Sequence, residues 1–81
     1  MAPFISAVLS FYNEERNLPT LIARLRRVFR AEMDAGRIRG YECIFVNDAS
    51  RDRSLEILAA EARIGRDIVI VNMSRNFGVS E

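Results

Sequence analysis

The stretch YECIFVNDASRDRSLEIL, residues 41–58, changes character at its centre. Residues 41–47 form a nearly continuous apolar run, which is typical of a strand in a parallel sheet that is covered on both faces. A polar turn begins at Asp48, and from Leu55 onward apolar residues recur at the spacing of one helix face. This order predicts a strand, a turn and a helix, with a carboxylate where the strand ends.

The same pattern continues on both sides of this stretch. FISAVLSF at 4–11 predicts a first strand and IVIVNM at 68–73 a third strand, and the first strand again lacks the strict alternation of a strand with one wet face. Between the first two strands, apolar residues at helical spacing predict a helix that begins after Asn17, whose side chain is expected to cap it, and ends before Gly36. The sequence therefore predicts an α/β fold of the order β-α-β-α-β, a three-layer parallel-sheet arrangement that forms half of a Rossmann-like nucleotide-binding domain.

Composition and charge are those of a small globular protein. The chain has 81 residues, of which 49% are hydrophobic and 28% charged, and its net charge is +1. Four arginines, at 24, 26, 27 and 30, gather in one stretch that could contact phosphates. A solvated helix face explains them better, because nucleic-acid-binding domains carry a larger basic excess. We therefore expect no nucleic-acid partner.

The cysteine and histidine counts and the hydropathy of the sequence limit the remaining classes of protein. Cys43 is the single cysteine and lies in an apolar run, so we expect a buried, reduced side chain. With no histidine and no cysteine pair, we expect no metal ligation by this segment. No run reaches the roughly 18 apolar residues of a membrane span, and the N-terminus lacks the basic flank of a signal peptide. We expect a cytoplasmic location.

Residues 1–81 are expected to form an incomplete domain. Two helices cannot cover both faces of a three-stranded parallel sheet, and the sheet has two open edges. Two interpretations follow: the segment is the N-terminal part of a larger domain, or it is a small non-catalytic module that self-associates as a homo-oligomer through its sheet edges.

Polar residues follow each predicted strand, at the edge where open parallel sheets bind ligands. These loops are SFYNEE at 10–15, NDAS at 47–50 and SRNFG at 74–78, and we expect them to meet in space. Neither G-x-G-x-x-G nor a P-loop occurs, so no glycine-rich loop in this segment is available to hold phosphates. Asp48 is placed to bind a ribose hydroxyl or a base N–H, and equally to close an Asx-turn or cap a helix.

Three other side chains in these loops have two interpretations each. Tyr12 could stack on a base or pack against the protein, and Glu14 could bind a ligand or favour the N-terminus of the following helix. Arg75 has a planar guanidinium suited to a phosphate or carboxylate, or to a surface ion pair.

Taken together, three segments resemble the opening of the family-two inverting glycosyltransferases of the GT-A fold. They are VLSFYNEERNLPTLIARL at 8–25, YECIFVNDASRDRSLEIL at 41–58 and VNMSRNFG at 71–78. The third segment is closest to the branch that loads a sugar onto a polyprenyl or dolichyl phosphate. Ser10 stands where the family usually has proline, and Asn47 where it usually has aspartate.

The resemblance implies a site for the nucleotide of a UDP- or GDP-sugar, with Asp48 as its main polar contact. The nucleotide-binding residues so implied are Ser10, Tyr12, Asn13, Glu14, Val46, Asp48 and Arg75. It also implies that the intact enzyme uses Mg²⁺ or Mn²⁺ and transfers the sugar to a polyprenyl phosphate acceptor at the cytoplasmic face of the membrane. The metal ligands and the catalytic base are expected outside this segment, which should not catalyse by itself.

Overall fold

The computed structural model describes residues 2–48 and 50–73. Their elements are β1 (Phe4–Phe11), α1 (Leu18–Asp34), β2 (Gly40–Asp48), α2 (Ser54–Ile64) and β3 (Ile68–Met73). The predicted α/β class and element order are confirmed. The predicted second strand is one residue shorter at each end than β2.

The three strands form one parallel sheet in the order β1-β2-β3, so β2 is the central strand. Ser10 of β1 lies beside Val46 of β2, which lies beside Val71 of β3. All three strands end at the same edge, as the sequence predicts for a Rossmann-like half-domain.

Both helices pack on the same face of this sheet. The core combines Leu18 and Ile22 of α1 and Leu58 of α2 with Cys43 and Phe45 of β2. Phe45 also meets Phe11 of β1 edge-on, with ring centroids 6.3 Å apart. Cys43 is buried, as predicted from its apolar neighbours.

The opposite face of the sheet is exposed in the described residues. Along β1 the burial alternates strictly, and Val8, which points away from the helices, is 66% exposed. The first strand was expected to be covered on both faces; here one face is covered, because both connections carry their helices to one side. The described residues thus form two layers of the predicted three, and the layer over the open face stays a prediction.

An ion cluster ties the helices together near the start of the strands. The Arg26 guanidinium of α1 donates to Glu61 Oε1 of α2 at 2.6 Å and to both carboxylate oxygens of Asp67, at 2.9 and 3.0 Å. The Tyr41 hydroxyl donates to the same carboxylate at 2.5 Å, and its ring stacks on Phe29. Arg26 is therefore a structural residue, whereas the other three arginines of its stretch are exposed.

The charges of this cluster perturb one another. The Arg26 guanidinium lowers the pKa of the Asp67 carboxyl, against the opposing effect of burial. Burial, together with the hydrogen bond to Asp67, raises the pKa of Tyr41 to about 12. Both shifts favour the protonation states that keep the cluster intact near neutral pH.

Candidate functional site

The β1–α1 and β2–α2 loops meet at the carboxyl edge of the sheet. Three consecutive backbone N–H groups of the first loop donate to side chains of the second loop and of the first residue of α2. Asn13 N donates to Ser50 Oγ at 3.0 Å, Glu14 N to Ser54 Oγ at 2.8 Å and Glu15 N to Asp52 Oδ2 at 3.1 Å. The prediction that the loops after the three strands meet is confirmed for these two, and the third loop, at 74–78, lies outside the described residues.

The second loop donates backbone N–H groups back to the first. Asn13 Oδ1 accepts from Arg51 N at 2.8 Å and from Asp52 N at 3.3 Å, and Glu15 Oε1 accepts from Arg53 N at 2.9 Å. We call this reciprocal set the loop latch. Its members are Asn13, Glu14, Glu15, Ser50, Arg51, Asp52, Arg53 and Ser54.

Asp52 is the carboxylate at the centre of the latch. Its Oδ1 accepts from Ser54 N at 2.9 Å while its Oδ2 accepts from Glu15 N. Burial alone would raise the pKa of Asp52, but the hydrogen bonds from Ser54 and Glu15 lower it below its usual value. The charged form therefore holds the start of α2 and the first loop together.

Asn47 is a buried polar residue of the site, with 2% of its surface exposed. Its Oδ1 accepts from Ser50 N at 2.9 Å, and its Nδ2 donates to Asn72 Oδ1 of β3 at 2.8 Å. An amide can do both, whereas a carboxylate can only accept. No role was predicted for Asn47; the signal in the sequence is its alternation with Cys43 and Phe45, which face inward.

Asp48 points to the other side of the sheet. It is exposed, and it takes part in none of the side-chain hydrogen bonds that the described residues make with one another. The two local roles that were open for it, an Asx-type turn and a helix start, are filled by Asn47 and Asp52. The carboxylate at the end of the central strand is left facing solvent.

Two of the other predicted contact residues lie on the same face of the sheet as Asp48. Ser10 and Val46 are register partners on the open face of the sheet, one exposed and one half-buried. Tyr12 is 47% exposed and directly follows the buried Phe11, so these two neighbouring side chains differ in direction. Arg75 lies outside the described residues.

Two of the predicted contacts also have partners within the protein. The Asn13 side chain accepts the two latch bonds described above, and Glu14 Oε1 accepts from Asn17 Nδ2 at 2.9 Å. Asn17 begins α1 without capping it through its side chain, which contradicts the capping role expected for it.

The start of α1 offers few donors to an anion. The N–H groups of Asn17 and Leu18 both donate to the Glu14 carbonyl at 3.0 Å, and Pro19 has no N–H. The N–H groups of residues 13–15 are held in the latch, so these three donors are not available to a phosphate.

Within residues 2–48 and 50–73, no group of three or more acidic, cysteine or histidine side chains is arranged to hold a metal ion. The described residues therefore do not fit the divalent ion that the resemblance implies, whose ligands are expected outside this segment.

A family model described as "Glycosyl transferase family 2" matches residues 6–81 of this chain. The chain belongs to glycosyl transferase family 2. This confirms the resemblance of the three segments, and it is consistent with the β-α-β-α-β half-domain seen in the fold.

Individual relatives agree with this membership. The chain is 45% identical over 75 residues to the undecaprenyl-phosphate 4-deoxy-4-formamido-L-arabinose transferase of Pseudomonas aeruginosa, covering 91% of this chain and 21% of that protein. It is 45% identical over 74 residues to a glycosyltransferase of Synechocystis (91% of this chain, 22% of that protein). It is 42% identical over 73 residues to the glycosyltransferase YkcC of Bacillus subtilis (90% and 21%).

The first of these relatives bears out the resemblance to the polyprenyl-phosphate branch. The chain spans about a fifth of the length of the curated relatives it matches. In the part of the chain that the structure describes, neither helix has the length and apolar character needed to cross a membrane.

Proposed function

We propose that this chain recognises the nucleoside of a UDP- or GDP-sugar within a glycosyltransferase that passes the sugar to a polyprenyl phosphate with inversion. The observation that carries the proposal is the Asp48 carboxylate, exposed at the carboxyl end of the central strand while Asn47 and Asp52 satisfy the local backbone. A carboxylate in this position suits a ribose hydroxyl or a base N–H.

The surroundings of Asp48 match a nucleoside better than a phosphate. Val46 offers an apolar surface beside it, Tyr12 an exposed ring, and Ser10 a hydroxyl on the neighbouring strand. The adjacent backbone N–H groups are occupied by the latch. We therefore propose base and ribose contacts for these four residues and for Glu14, and a diphosphate contact for Arg75.

The remaining parts of the reaction are proposed for other residues of the enzyme. Divalent metal is common in this family, and Mg²⁺ or Mn²⁺ would there offset the charge of the departing nucleoside diphosphate. A base outside the described residues would orient the polyprenyl phosphate for direct displacement. The undecaprenyl-phosphate transferase of Pseudomonas aeruginosa supports this acceptor class, and we propose the cytoplasmic face of the membrane as its location.

Calorimetric titration of the chain with UDP, GDP, uridine and guanosine tests the proposal, after circular dichroism has shown that the chain is folded. One base should bind, and Asp48→Asn should weaken it at least tenfold, while Asp34→Asn on the exposed surface of α1 should leave it unchanged. Arg75→Ala should weaken the diphosphate and not the nucleoside. A folded chain that gives no heat with any of the four would overturn the proposal.

A second candidate is the non-catalytic module that self-associates. The observation in its favour is the open sheet face, on which five apolar side chains are exposed within the described residues. They are Phe4, Val8, Val69, Val71 and Met73. Both outer strands, β1 and β3, also have an unpaired edge there. Light scattering decides, because a monomer at high protein concentration would exclude this function.

A further inference from the structure

We propose that Asn13 is a positioning residue whose side-chain oxygen fixes the β2–α2 loop, so that Tyr12 and Asp48 face one nucleoside. This inference rests on the proposed function, and it changes the role of Asn13 from a ligand contact to the link between two loops.

The backbone of Asn13 is the first observation. Its φ of +50° lies in the left-handed region, which asparagine tolerates better than most residues. This conformation turns the chain two residues after the end of β1, and it directs the Asn13 side chain toward residues 51 and 52. The same turn follows Tyr12 directly.

The hydrogen bonds of the Asn13 side chain are the second observation. Its Oδ1 accepts from two successive backbone N–H groups, those of Arg51 and Asp52, across 38 and 39 residues of sequence. Asn13 N donates in return to Ser50 Oγ. An oxygen that already accepts two N–H groups has little capacity left for a ligand, because a carbonyl has two lone pairs.

Burial beneath this contact is the third observation. Ser54 has no exposed surface, and its hydroxyl accepts from Glu14 N at 2.8 Å. Below it, the side chain of Asn47 accepts from Ser50 N. The loop that Asn13 holds is thus fixed at its base by buried groups, and its path starts at Asp48. A shift of the loop would move the Asp48 carboxylate relative to Tyr12.

Substitutions at residue 13 can distinguish a side chain that accepts hydrogen bonds from the loop from one that donates a hydrogen bond to the ligand. Asn13→Asp keeps an oxygen that accepts both N–H groups and removes the amide N–H₂, whereas Asn13→Ala and Asn13→Gly remove the acceptor. Glycine also retains the left-handed φ at no steric cost. If Asn13 positions the loop, Asn13→Asp should bind the nucleoside within about threefold of the wild type, and the other two should lose at least tenfold. Equal losses in all three variants would show that the amide N–H₂ contacts the ligand and would overturn the proposal.

A double-mutant cycle with Asp48 distinguishes positioning from general destabilisation. Because Asn13 acts through Asp48, the pair Asn13→Ala and Asp48→Asn should lose little more affinity than Asp48→Asn alone. Additive losses would contradict the proposal. Circular dichroism confirms that each variant is folded, and Asn13→Gly serves if the alanine variant is not.

Hydrogen exchange keeps this test separate from that of the proposed function. The amides of Arg51 and Asp52 should exchange at least tenfold faster in Asn13→Ala than in the wild type, and Asn13→Asp should restore their protection. If the wild type binds no nucleotide while this exchange pattern holds, the proposed function fails and the link between the loops stands. If binding is found but the exchange rates are unchanged, the positioning role fails alone.

Discussion

Asn47 and Asp48 are adjacent at the end of β2, yet their side chains lie on opposite faces of the sheet. Asn47 is 2% exposed and bonded to Ser50 and Asn72, whereas Asp48 is exposed to solvent. Because successive side chains of a strand point to opposite faces, Asn47 has a structural role while Asp48 is a candidate ligand-binding residue. The pair therefore allows stability and binding to be tested one residue apart.

Asn47→Ala should lower the free energy of unfolding by about 1–3 kcal/mol, because it leaves Ser50 N and the Asn72 side chain without their buried partner. Asp48→Ala is the matched control, and it should change stability by no more than about 0.5 kcal/mol. Urea denaturation followed by circular dichroism measures both. Equal destabilisation by the two substitutions would contradict the different roles of the two neighbours.

Arg26→Ala should lower the free energy of unfolding by about 1–3 kcal/mol, since it leaves two partly buried carboxylates, those of Glu61 and Asp67, without their cation. Arg24→Ala removes an equal charge from the exposed surface of the same helix, and it should change stability by no more than about 0.5 kcal/mol. The comparison is made by urea denaturation. A similar loss in both variants would indicate a general effect of charge.

Much of this fold was predictable from the sequence because it depends on local patterns. Apolar runs gave the strands, helical spacing gave the helices, and their order gave the parallel sheet. Which face each helix covers was not predictable, because that depends on strand order as well as on element order. Val8 is exposed for this reason, although its strand has the composition of one that is buried on both faces.

The candidate site, too, was predictable from the sequence only in part. The convergence of the first two loops follows from the strand ends and was predicted, whereas for Asp48 a ligand contact and a local turn or cap were left equally open. The latch was not, because its bonds join residues about 40 positions apart and depend on the register of two loops. Asn13 was assigned to the ligand on resemblance alone, and only its long-range contacts suggest the positioning role.

Raising the pH should destabilise the protein through Tyr41. Its pKa is raised in the folded state, from about 10 to about 12, by burial and by Asp67. The folded state therefore retains a proton that the unfolded state loses, so this contribution to stability is complete below pH 10 and is lost as the pH rises toward 12. Tyr41→Phe keeps the ring on Phe29 and has no titrating hydroxyl. Urea midpoints measured across this range should fall less steeply in Tyr41→Phe, and identical slopes would contradict the assignment.

Lowering the pH should weaken two parts of the molecule through Asp52 and Asp67, because the pKa of each carboxyl is below its usual value in the folded state. The folded state binds fewer protons, so their contribution to stability is present above the ordinary value of 3.8 and is lost as the pH falls through the lowered values. Asp67→Asn and Asp52→Asn should each flatten the acid limb of a urea-midpoint profile, whereas Asp34→Asn on the exposed surface should leave it unchanged.

Gly65→Ala should weaken the ion cluster without strain in the backbone, which is extended at Gly65 with a φ of −124°. A Cβ at this position would lie 2.7 Å from Asp67 Oδ1 and 3.1 Å from Arg26 Nη2, so the Asp67 carboxylate would have to move away from the guanidinium. We expect a loss of about 1 kcal/mol in the free energy of unfolding. In an Arg26→Ala background, the Asp67 carboxylate has already lost the guanidinium. Gly65→Ala should then lower the free energy of unfolding by at least about 0.5 kcal/mol less than it does in the wild type. Additive losses in this cycle would show that Gly65 is needed for a reason other than close approach to the cluster.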